Sequence, residues 1–184
     1  NPPHVACSTP ITLYGCPLDP HVSEAHDLGD ASYAFTSYLG VSGQDRLQGD
    51  GVLAFNSAVK IADIRDGTTQ TLMVGERVVY PASRLGWWYA GSGHDRTGSA
   101  GSILGVRERP DWVYRSACED YPPPSFREGE EQNPCSQLHF WSYHPGGANF
   151  AFADGSVRFL RYTIDPIMPA LATRAGREVV SIPD

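Results

Sequence analysis

The clearest alternation of large and small side chains lies near the C-terminus, in residues 144–160, HPGGANFAFADGSVRFL. Alternation at a period of two is typical of β-strands, and here it continues on both sides of Asp154-Gly155. Asp-Gly between two such runs predicts a two-residue hairpin turn in which both central residues have positive φ. On this interpretation the hairpin buries a layer of core side chains, formed by Phe150, Phe152, Val157 and Phe159.

The rest of the chain predicts a few further elements. Residues 31–39 are rich in aromatic and β-branched side chains, and residues 71–76 form a short apolar run, so both are predicted strands. Asp165-Pro166 has the form of a helix N-cap followed by proline, and Gly176 is a favourable residue just past a helix end. We therefore predict the α+β class: a mainly antiparallel β-sheet with long loops and one short C-terminal helix.

Length and charge restrict the class of protein. A chain of 184 residues with 41% hydrophobic residues can bury a core of its own, and we expect a single soluble domain, residues 1–184. The net charge of −7, with no visible cluster of cations, argues against nucleic acid as a partner. No stretch approaches the roughly 20 apolar residues of a membrane span.

Four cysteines are present, and none has the Cys-x-x-Cys spacing of a metal site. The simplest of the three connectivities joins Cys7 to Cys16 and Cys118 to Cys135, because both pairs are local in sequence. The alternative is four reduced thiols in a cytosolic protein. Local pairing and an even number favour disulfides, and hence an exported protein located in the periplasm or at the cell surface.

Several segments together resemble one protein family. His144 is separated by nine residues from Asp154-Gly155, and residues 66–76 contain Asp-Gly-Thr-Thr-Gln-Thr followed by Gly-Glu. Residues 16–20, CPLDP, are similar to a Cys-Pro-Ser-Asp-Pro segment, with leucine in place of serine. These features resemble the DUF1559 family of planctomycete proteins, which are described as prepilin-like, type II secretion G-like or solute-binding-like.

The resemblance implies a pilin-like globular head, in which an antiparallel sheet packs against an apolar N-terminal helix. We expect the chain to be a truncated or processed product whose upstream prepilin helix is missing, with membrane contact only through that helix. The implied partners are proteins of a pilin-like or secretion assembly. The resemblance establishes no enzymatic activity, and we expect no required cofactor. The alternative is a cell-envelope module that binds a small molecule, a glycan or a metal ion.

His144 and Asp154 suggest a metal or catalytic pair, which His139 would join. In the alternative interpretation these residues are structural: Asp154 and Gly155 shape the turn, and His144 caps a loop or hydrogen-bonds a carboxylate or a backbone group. Of the remaining motif residues, Gly146 and Gly147 then belong to a turn with Pro145, and Asn149 begins the first strand of the hairpin. A zinc site needs three or four nitrogen, sulfur or oxygen ligands, and the sequence offers no second spaced pair of histidines.

Calcium is a further candidate ligand, because it binds carboxylate and carbonyl oxygens. The acidic turns that could hold it contain Asp45, Asp50, Asp63 and Asp66. The alternative, which we favour, is that these carboxylates accept hydrogen bonds within ordinary turns.

Trp87, Trp88 and Tyr89 form the densest aromatic cluster. They could stack on a sugar or contact a partner, since aromatic side chains are enriched at interfaces, or they could belong to the core. The order of serine, cysteine and histidine along the chain indicates no nucleophilic site, so we do not expect an enzyme.

Overall fold

The computed structural model describes residues 5–29, 31–82, 86–88, 101–108, 118, 125–178 and 180–182. Its main element is a five-stranded sheet, and a two-stranded ribbon lies apart from it. The ribbon consists of β1 (His26–Asp27) and β2 (Ser32–Tyr33). The sheet contains β3 (Tyr38–Val41), β4 (Leu72–Glu76), β5 (Ile103–Leu104), β6 (Gly147–Phe152) and β7 (Val157–Arg161).

The sheet has the strand order β5-β3-β4-β6-β7. Strands β3, β4, β6 and β7 pair antiparallel, and β5 pairs parallel with β3 at one edge. One short α-helix, α1 (Met168–Ala172), follows the last strand after a 3₁₀ turn. The predicted α+β class is confirmed. None of the helices in the described residues has both the length and the apolar character needed to span a membrane.

One face of the sheet packs against the hydrophobic core. Its side chains come from alternate positions of each strand and are almost completely removed from water. Helix α1 covers this inner face, so that burial of apolar surface holds the sheet and helix together. The core consists of Leu39, Val41, Leu72, Leu104, Ala148, Phe150, Phe152 and Leu160 of the sheet, Met168, Leu171 and Ala172 of α1, and Val106, Phe126, Phe140 and Ile164.

The hairpin turn differs from the sequence prediction by one residue. The amide of Phe152 donates to the carbonyl of Ser156, and the amide of Gly155 donates to the carbonyl of Phe152. These bonds enclose a three-residue loop, Ala153 to Gly155, in which only Gly155 has positive φ, at +85°. The loop is therefore of the common three-residue type, a type I turn followed by one residue in the left-handed conformation. The predicted two-residue turn is wrong.

Asp154 acts within this loop through its side chain. Its Oδ1 accepts hydrogen bonds from the backbone amide and the hydroxyl of Ser156, at 2.8 and 2.7 Å. These hydrogen bonds from Ser156 hold the pKa of Asp154 below its usual range. Asp154 therefore stabilises the turn as a hydrogen-bond acceptor, and only Gly155 takes the left-handed conformation.

The extra loop residue turns Val157 and Phe159 away from the core. Residues directly opposite each other in an antiparallel pair point to the same face, and a shift of one residue reverses the face. Val157 lies opposite Ala151, and Phe159 lies opposite Asn149. The two side chains are 68% and 45% exposed, so the prediction that they belong to the core is wrong. Phe150 and Phe152 are buried as predicted.

Residues 31–39 and the C-terminal helix also differ from their predictions. The predicted strand 31–39 is divided between β2 and β3, with the hydroxyl of Thr36 accepting from the amide of Tyr38 between them. Residue Asp165 does not cap a helix: its carboxylate accepts from the amide of Phe126 and lies 2.9 Å from the guanidinium of Arg107. The chain forms a 3₁₀ turn there, and α1 starts only at Met168.

The cysteines confirm one predicted disulfide and contradict the other. Cys118 and Cys135 are joined, with their Cα atoms 5.6 Å apart. No disulfide joins Cys7 to Cys16; both are buried thiols. Cys7 packs in a separate cluster with Tyr33, Phe35, Val79 and Trp87. Cys16 instead lies beside His144.

We predict that Gly155→Ala lowers the free energy of unfolding by about 1 kcal/mol, because alanine is strained at positive φ. No atom lies within 4 Å of an added Cβ, so conformational strain is the cause. Gly155→Asn is the matched control, and its free energy of unfolding should fall by less than that of Gly155→Ala, since asparagine tolerates this conformation. Urea unfolding of the three proteins measures the difference, and equal stability of the alanine variant and the parent would contradict the turn.

Candidate functional site

The face of the sheet opposite the core, here called the outer face, is largely apolar and partly exposed. Its apolar side chains are Tyr38, Val74, Ala151, Val157 and Phe159, which are half-buried or exposed. The same face carries the polar residues Glu76, Asn149 and Arg161. A cavity of about 630 Å³ opens on this face, and most of the side chains around it are aromatic or aliphatic. Its lining consists of Tyr14, Thr36, Tyr38, Val74, Trp88, Ser102, Asn149, Phe150, Ala151 and Val157.

The three predicted binding aromatics have different positions. Trp87 is buried and stacks on Tyr33, with ring centroids 4.1 Å apart, so its side chain belongs to the core. Trp88 lines the cavity, and its indole N–H donates to the carbonyl of Thr9 at 3.0 Å. Tyr89 lies outside the described residues. The aromatic cluster thus contributes Trp88 to the outer face and Trp87 to the interior.

Three side chains with metal-binding or acid–base chemistry converge beside the outer face: Cys16, Glu76 and His144. The Nε2 atom of His144 lies 3.5 Å from the sulfur of Cys16 and 3.4 Å from Oε1 of Glu76. All three ligand atoms lie within 4.8 Å of one another. We call this group the Cys–Glu–His cluster.

The segment CPLDP holds Cys16 in the cluster. The carboxylate of Asp19, which is 3% exposed, accepts hydrogen bonds from the amide of Val79 and the hydroxyl of Ser37, at 2.9 and 3.1 Å. The same Ser37 oxygen accepts from the amide of Cys16 at 3.0 Å. A buried carboxylate is stable only when its oxygens are hydrogen-bonded, so this network ties the loop to the sheet.

Glu76 enters the cluster from the end of β4. Its side chain is 1% exposed, and Oε2 accepts from the backbone and side-chain N–H groups of Asn149, at 2.6 and 3.0 Å. The other oxygen, Oε1, is buried and accepts no hydrogen bond within the described part of the chain. It points to the space that Cys16 and His144 also face. Asn149, a predicted motif residue, thus positions half of this carboxylate.

His144 comes from the loop that leads into β6. Its amide donates to the hydroxyl of Ser142, which donates to the carbonyl of Gly147 at 2.8 Å. Gly146, with φ of +80°, closes this loop, and its carbonyl accepts from the amide of Tyr162. Gly146 therefore has the predicted turn role, whereas Gly147 is already the first residue of strand β6 and lies opposite Arg161. The His144 ring, which is 30% exposed, lies edge-on to the ring of Phe159 on the outer face.

The cluster does not have the geometry of a nucleophilic triad. In such a triad one ring nitrogen contacts the nucleophile while the other contacts the carboxylate that orients the base. Here Cys16 and Glu76 both approach the same nitrogen of His144, Nε2. Burial raises the pKa of the Cys16 thiol, and Glu76 shifts it further in the same direction, whereas an activated thiol has a lowered pKa. The arrangement resembles three ligands around a common point.

His144 and Asp154, predicted as a pair, lie at opposite ends of β6. That strand has six residues, so the two side chains are separated by a distance on the order of 20 Å. The structure does not bring them together, and the hypothesis of a shared site is wrong. His139 does not join the cluster either.

The predicted calcium residues lie in separate turns. Asp45 accepts from the amides of Leu47 and Gln48, and Asp63 from the amide of Lys60. The described residues contain no group of three of these carboxylates close enough to hold one ion. The contacts of Asp45 and Asp63 fit the hydrogen-bonded-turn interpretation. Asp50 instead accepts from the amide of Gln44, six residues earlier, and Asp66 accepts from the amides of Gly176 and Arg177, so its carboxylate connects two segments that are distant in sequence.

The sequence analysis did not identify Cys16 and Glu76 as site residues. Cys16 was assigned to a disulfide, and Glu76 was treated only as part of a motif. Both lie in segments that carry the family resemblance, and so does His144. Chemically reactive residues in family segments that are distant in sequence can be expected to meet in one site. Applied to Cys16, Glu76 and His144, this expectation would have pointed to the cluster.

Comparison with known proteins agrees with that resemblance. The family model described as "Protein of unknown function (DUF1559)" matches residues 3–167. The chain belongs to the DUF1559 family. No curated protein and no solved structure matches it. The matched range includes all three cluster residues of this DUF1559 protein and both strands of its hairpin.

His139 of this DUF1559 protein is fully buried, and its Nδ1–H donates to the carbonyl of Phe140 at 3.3 Å. Burial lowers the pKa of His139 from 6.5 to about 4, and the positive charges of Arg127 and Arg77 act in the same direction. The folded protein therefore holds this side chain neutral at pH values where the unfolded chain protonates it.

We predict that the free energy of unfolding decreases as the pH falls from about 6.5 to about 4, by up to about 3 kcal/mol from His139. The sign follows because the unfolded state binds the additional proton in this range. His139→Asn keeps an N–H donor and cannot titrate, so its stability should decline less. Urea unfolding across this pH range compares the two, and parallel curves would contradict the assignment.

Proposed function

We propose that this chain is the head domain of an exported, non-enzymatic, pseudopilin-like protein, which acts through protein–protein contacts in a pilin-like or secretion assembly. The single observation that carries the proposal is the apolar outer face, with Val157 and Phe159 exposed on the last strand of the sheet. Large apolar side chains grouped at a surface mark an interaction site more often than isolated ones do.

The occupant that fits this face best is an apolar helix from the assembly. A helix packs on a sheet through one apolar stripe, which requires a row of small and apolar side chains across neighbouring strands. Val74, Ala151 and Val157 supply that row, since they lie opposite one another on β4, β6 and β7. The family resemblance leads to the same type of contact. A function in protein contacts requires no catalytic group. The Cys–Glu–His cluster is compatible with such a function, because it lacks the geometry of a nucleophilic triad.

The Cys118–Cys135 disulfide supports export. Disulfides persist in oxidising compartments and are rare in the cytosol. The bond closes a polar, proline-rich segment, and closing a loop of this length stabilises a protein by about 3 kcal/mol in the chain-entropy model. The periplasm or the cell surface is therefore the proposed location.

A second candidate function is a cell-envelope module that binds a small molecule or a glycan. The observation in its favour is the cavity, whose volume of about 630 Å³ lies within the range of small-molecule sites. Trp88 and Tyr14 in its lining could stack on a ring. A ligand there would occupy the middle of the outer face and compete with a helix.

Site-specific photo-crosslinking in the source organism tests the proposal. A photoreactive side chain at Val157 should give covalent adducts with a pilin-like or secretion-assembly protein, identified by mass spectrometry. The same group at Ile61, which is 78% exposed but lies outside the sheet, is the matched control and should give none.

Equal adducts at both positions, or none at position 157, would contradict the proposal. Native mass spectrometry of the purified protein addresses the second function. A small molecule that copurifies and is lost from a Trp88→Ala variant would support the binding module instead.

A further inference from the structure

The Cys–Glu–His cluster has a composition and a charge that the protein-contact function does not use. Thiolate and imidazole are ligands for zinc and neighbouring transition metals, whereas calcium and magnesium prefer oxygen alone. A thiolate and a carboxylate carry two negative charges, which one divalent cation would neutralise. We propose that Cys16 Sγ, Glu76 Oε1 and His144 Nε2 bind one divalent cation of the zinc class.

The buried oxygen of Glu76 is the observation that points to a ligand. This carboxylate is 1% exposed, and burying a charged group is costly unless each oxygen has a partner. Asn149 supplies two donors to Oε2, while Oε1 accepts no hydrogen bond in the described part of the chain. The chargeable side chains that approach Oε1 among these residues are those of His144, whose Nε2 lies 3.4 Å away, and Cys16, whose sulfur lies within 4.8 Å. A cation bound between the Glu76 and His144 side chains would interact with Oε1, the carboxylate oxygen that accepts no hydrogen bond from the described residues.

The distances agree with one metal bound by three ligands. Ligand atoms held at about 2.0 to 2.3 Å from a tetrahedral zinc ion are separated from one another by about 3.3 to 3.7 Å. The nitrogen of His144 lies 3.4 Å from Glu76 Oε1 and 3.5 Å from Cys16 Sγ. The third separation, between Cys16 Sγ and Glu76 Oε1, is at most 4.8 Å, so the two distances to His144 already match a tetrahedral site and the third lies within about 1.5 Å of it.

The surroundings of the cluster favour a single ion over an organic ligand. A cavity of about 10 Å³, near the lower limit for one water molecule, adjoins Cys16 and Glu76. Arg77 and Tyr143 also line it and His144 does not, so it leaves too little space for an organic ligand on that side of the cluster. The positions of the ligands are fixed by hydrogen bonds made outside the site: Ser37 holds Cys16, Asn149 holds Glu76, and Ser142 holds the loop of His144. Such supporting contacts are a feature of metal sites.

The fourth coordination position would be taken by water or by a group from outside the chain. His144 is 30% exposed and contacts Phe159, so the open side of the site adjoins the outer face. The cation site does not depend on the proposed assembly function, because the three ligands all come from this chain.

Metal titration of the purified full chain, after chelator treatment and with the Cys118–Cys135 disulfide intact, tests the inference. Zn²⁺ is titrated in competition with a chromophoric chelator, and Co²⁺ serves as the spectroscopic probe. We expect one equivalent of Zn²⁺ to bind, and Co²⁺ to give a thiolate-to-cobalt charge-transfer band in the near ultraviolet. Ca²⁺ is the control for a hard cation and should not remove this band at comparable concentrations.

Variants assign the ligands. Cys16→Ser should abolish the charge-transfer band, and both Cys16→Ser and His144→Asn should weaken Zn²⁺ binding at least about 10-fold, since even loss of a supporting contact has such an effect. Cys7→Ser is the matched control: Cys7 is also a buried thiol, but it lies in a different cluster, and its loss should change neither. Circular dichroism confirms folding, and His144→Asn, at a partly exposed position, decides the question if Cys16→Ser is unfolded.

No charge-transfer band in the parent protein would overturn the inference. So would Zn²⁺ affinity that is unchanged in Cys16→Ser and His144→Asn, or a band lost in Cys7→Ser but retained in Cys16→Ser. These outcomes are independent of the crosslinking result at Val157, so either proposal can fail without the other.

Discussion

The register of the β6–β7 hairpin determines both faces of the sheet. The three-residue loop places Val157 opposite Ala151, so the apolar residues of β7 divide between the two faces: Leu160 enters the core, while Val157 and Phe159 face outward. A two-residue loop would have put both outward residues beneath the core phenylalanines. Gly155, the one residue of this loop with positive φ, permits the three-residue length. The exposure of Val157 and Phe159 on the outer face is thus a consequence of one additional residue in a turn.

The same hairpin connects the outer face to the polar cluster. Asn149 on β6 lines the cavity and also donates two hydrogen bonds to Glu76. Phe159 on β7 lies on the outer face and contacts the ring of His144. The residues that would bind a cation and the surface that would bind a partner are therefore supported by the same two strands. A change in hairpin register would disturb both.

Alternation predicted the hairpin strands, and a short apolar run predicted β4, because both patterns depend only on local geometry. Alternation could not predict the loop length, since Asp-Gly is compatible with two-residue and three-residue turns. Local spacing gave the Cys118–Cys135 disulfide, but it failed for Cys16, whose position is fixed by Ser37 and Asp19. Alternation and local spacing could not predict the cluster, because Cys16 and His144 are 128 positions apart in the sequence; the family segments that contain its three residues were the only signal for it.

Cross-strand nuclear Overhauser effects between backbone protons of the isotopically labelled protein test the hairpin register most directly. The structure predicts contacts between Ala151 and Val157 and between Asn149 and Phe159, which are opposed residues of β6 and β7. Contacts from Phe152 to Val157 and from Phe150 to Phe159 as the opposed pairs would instead indicate the two-residue turn. That result would place Val157 and Phe159 against the core and contradict the account of the outer face.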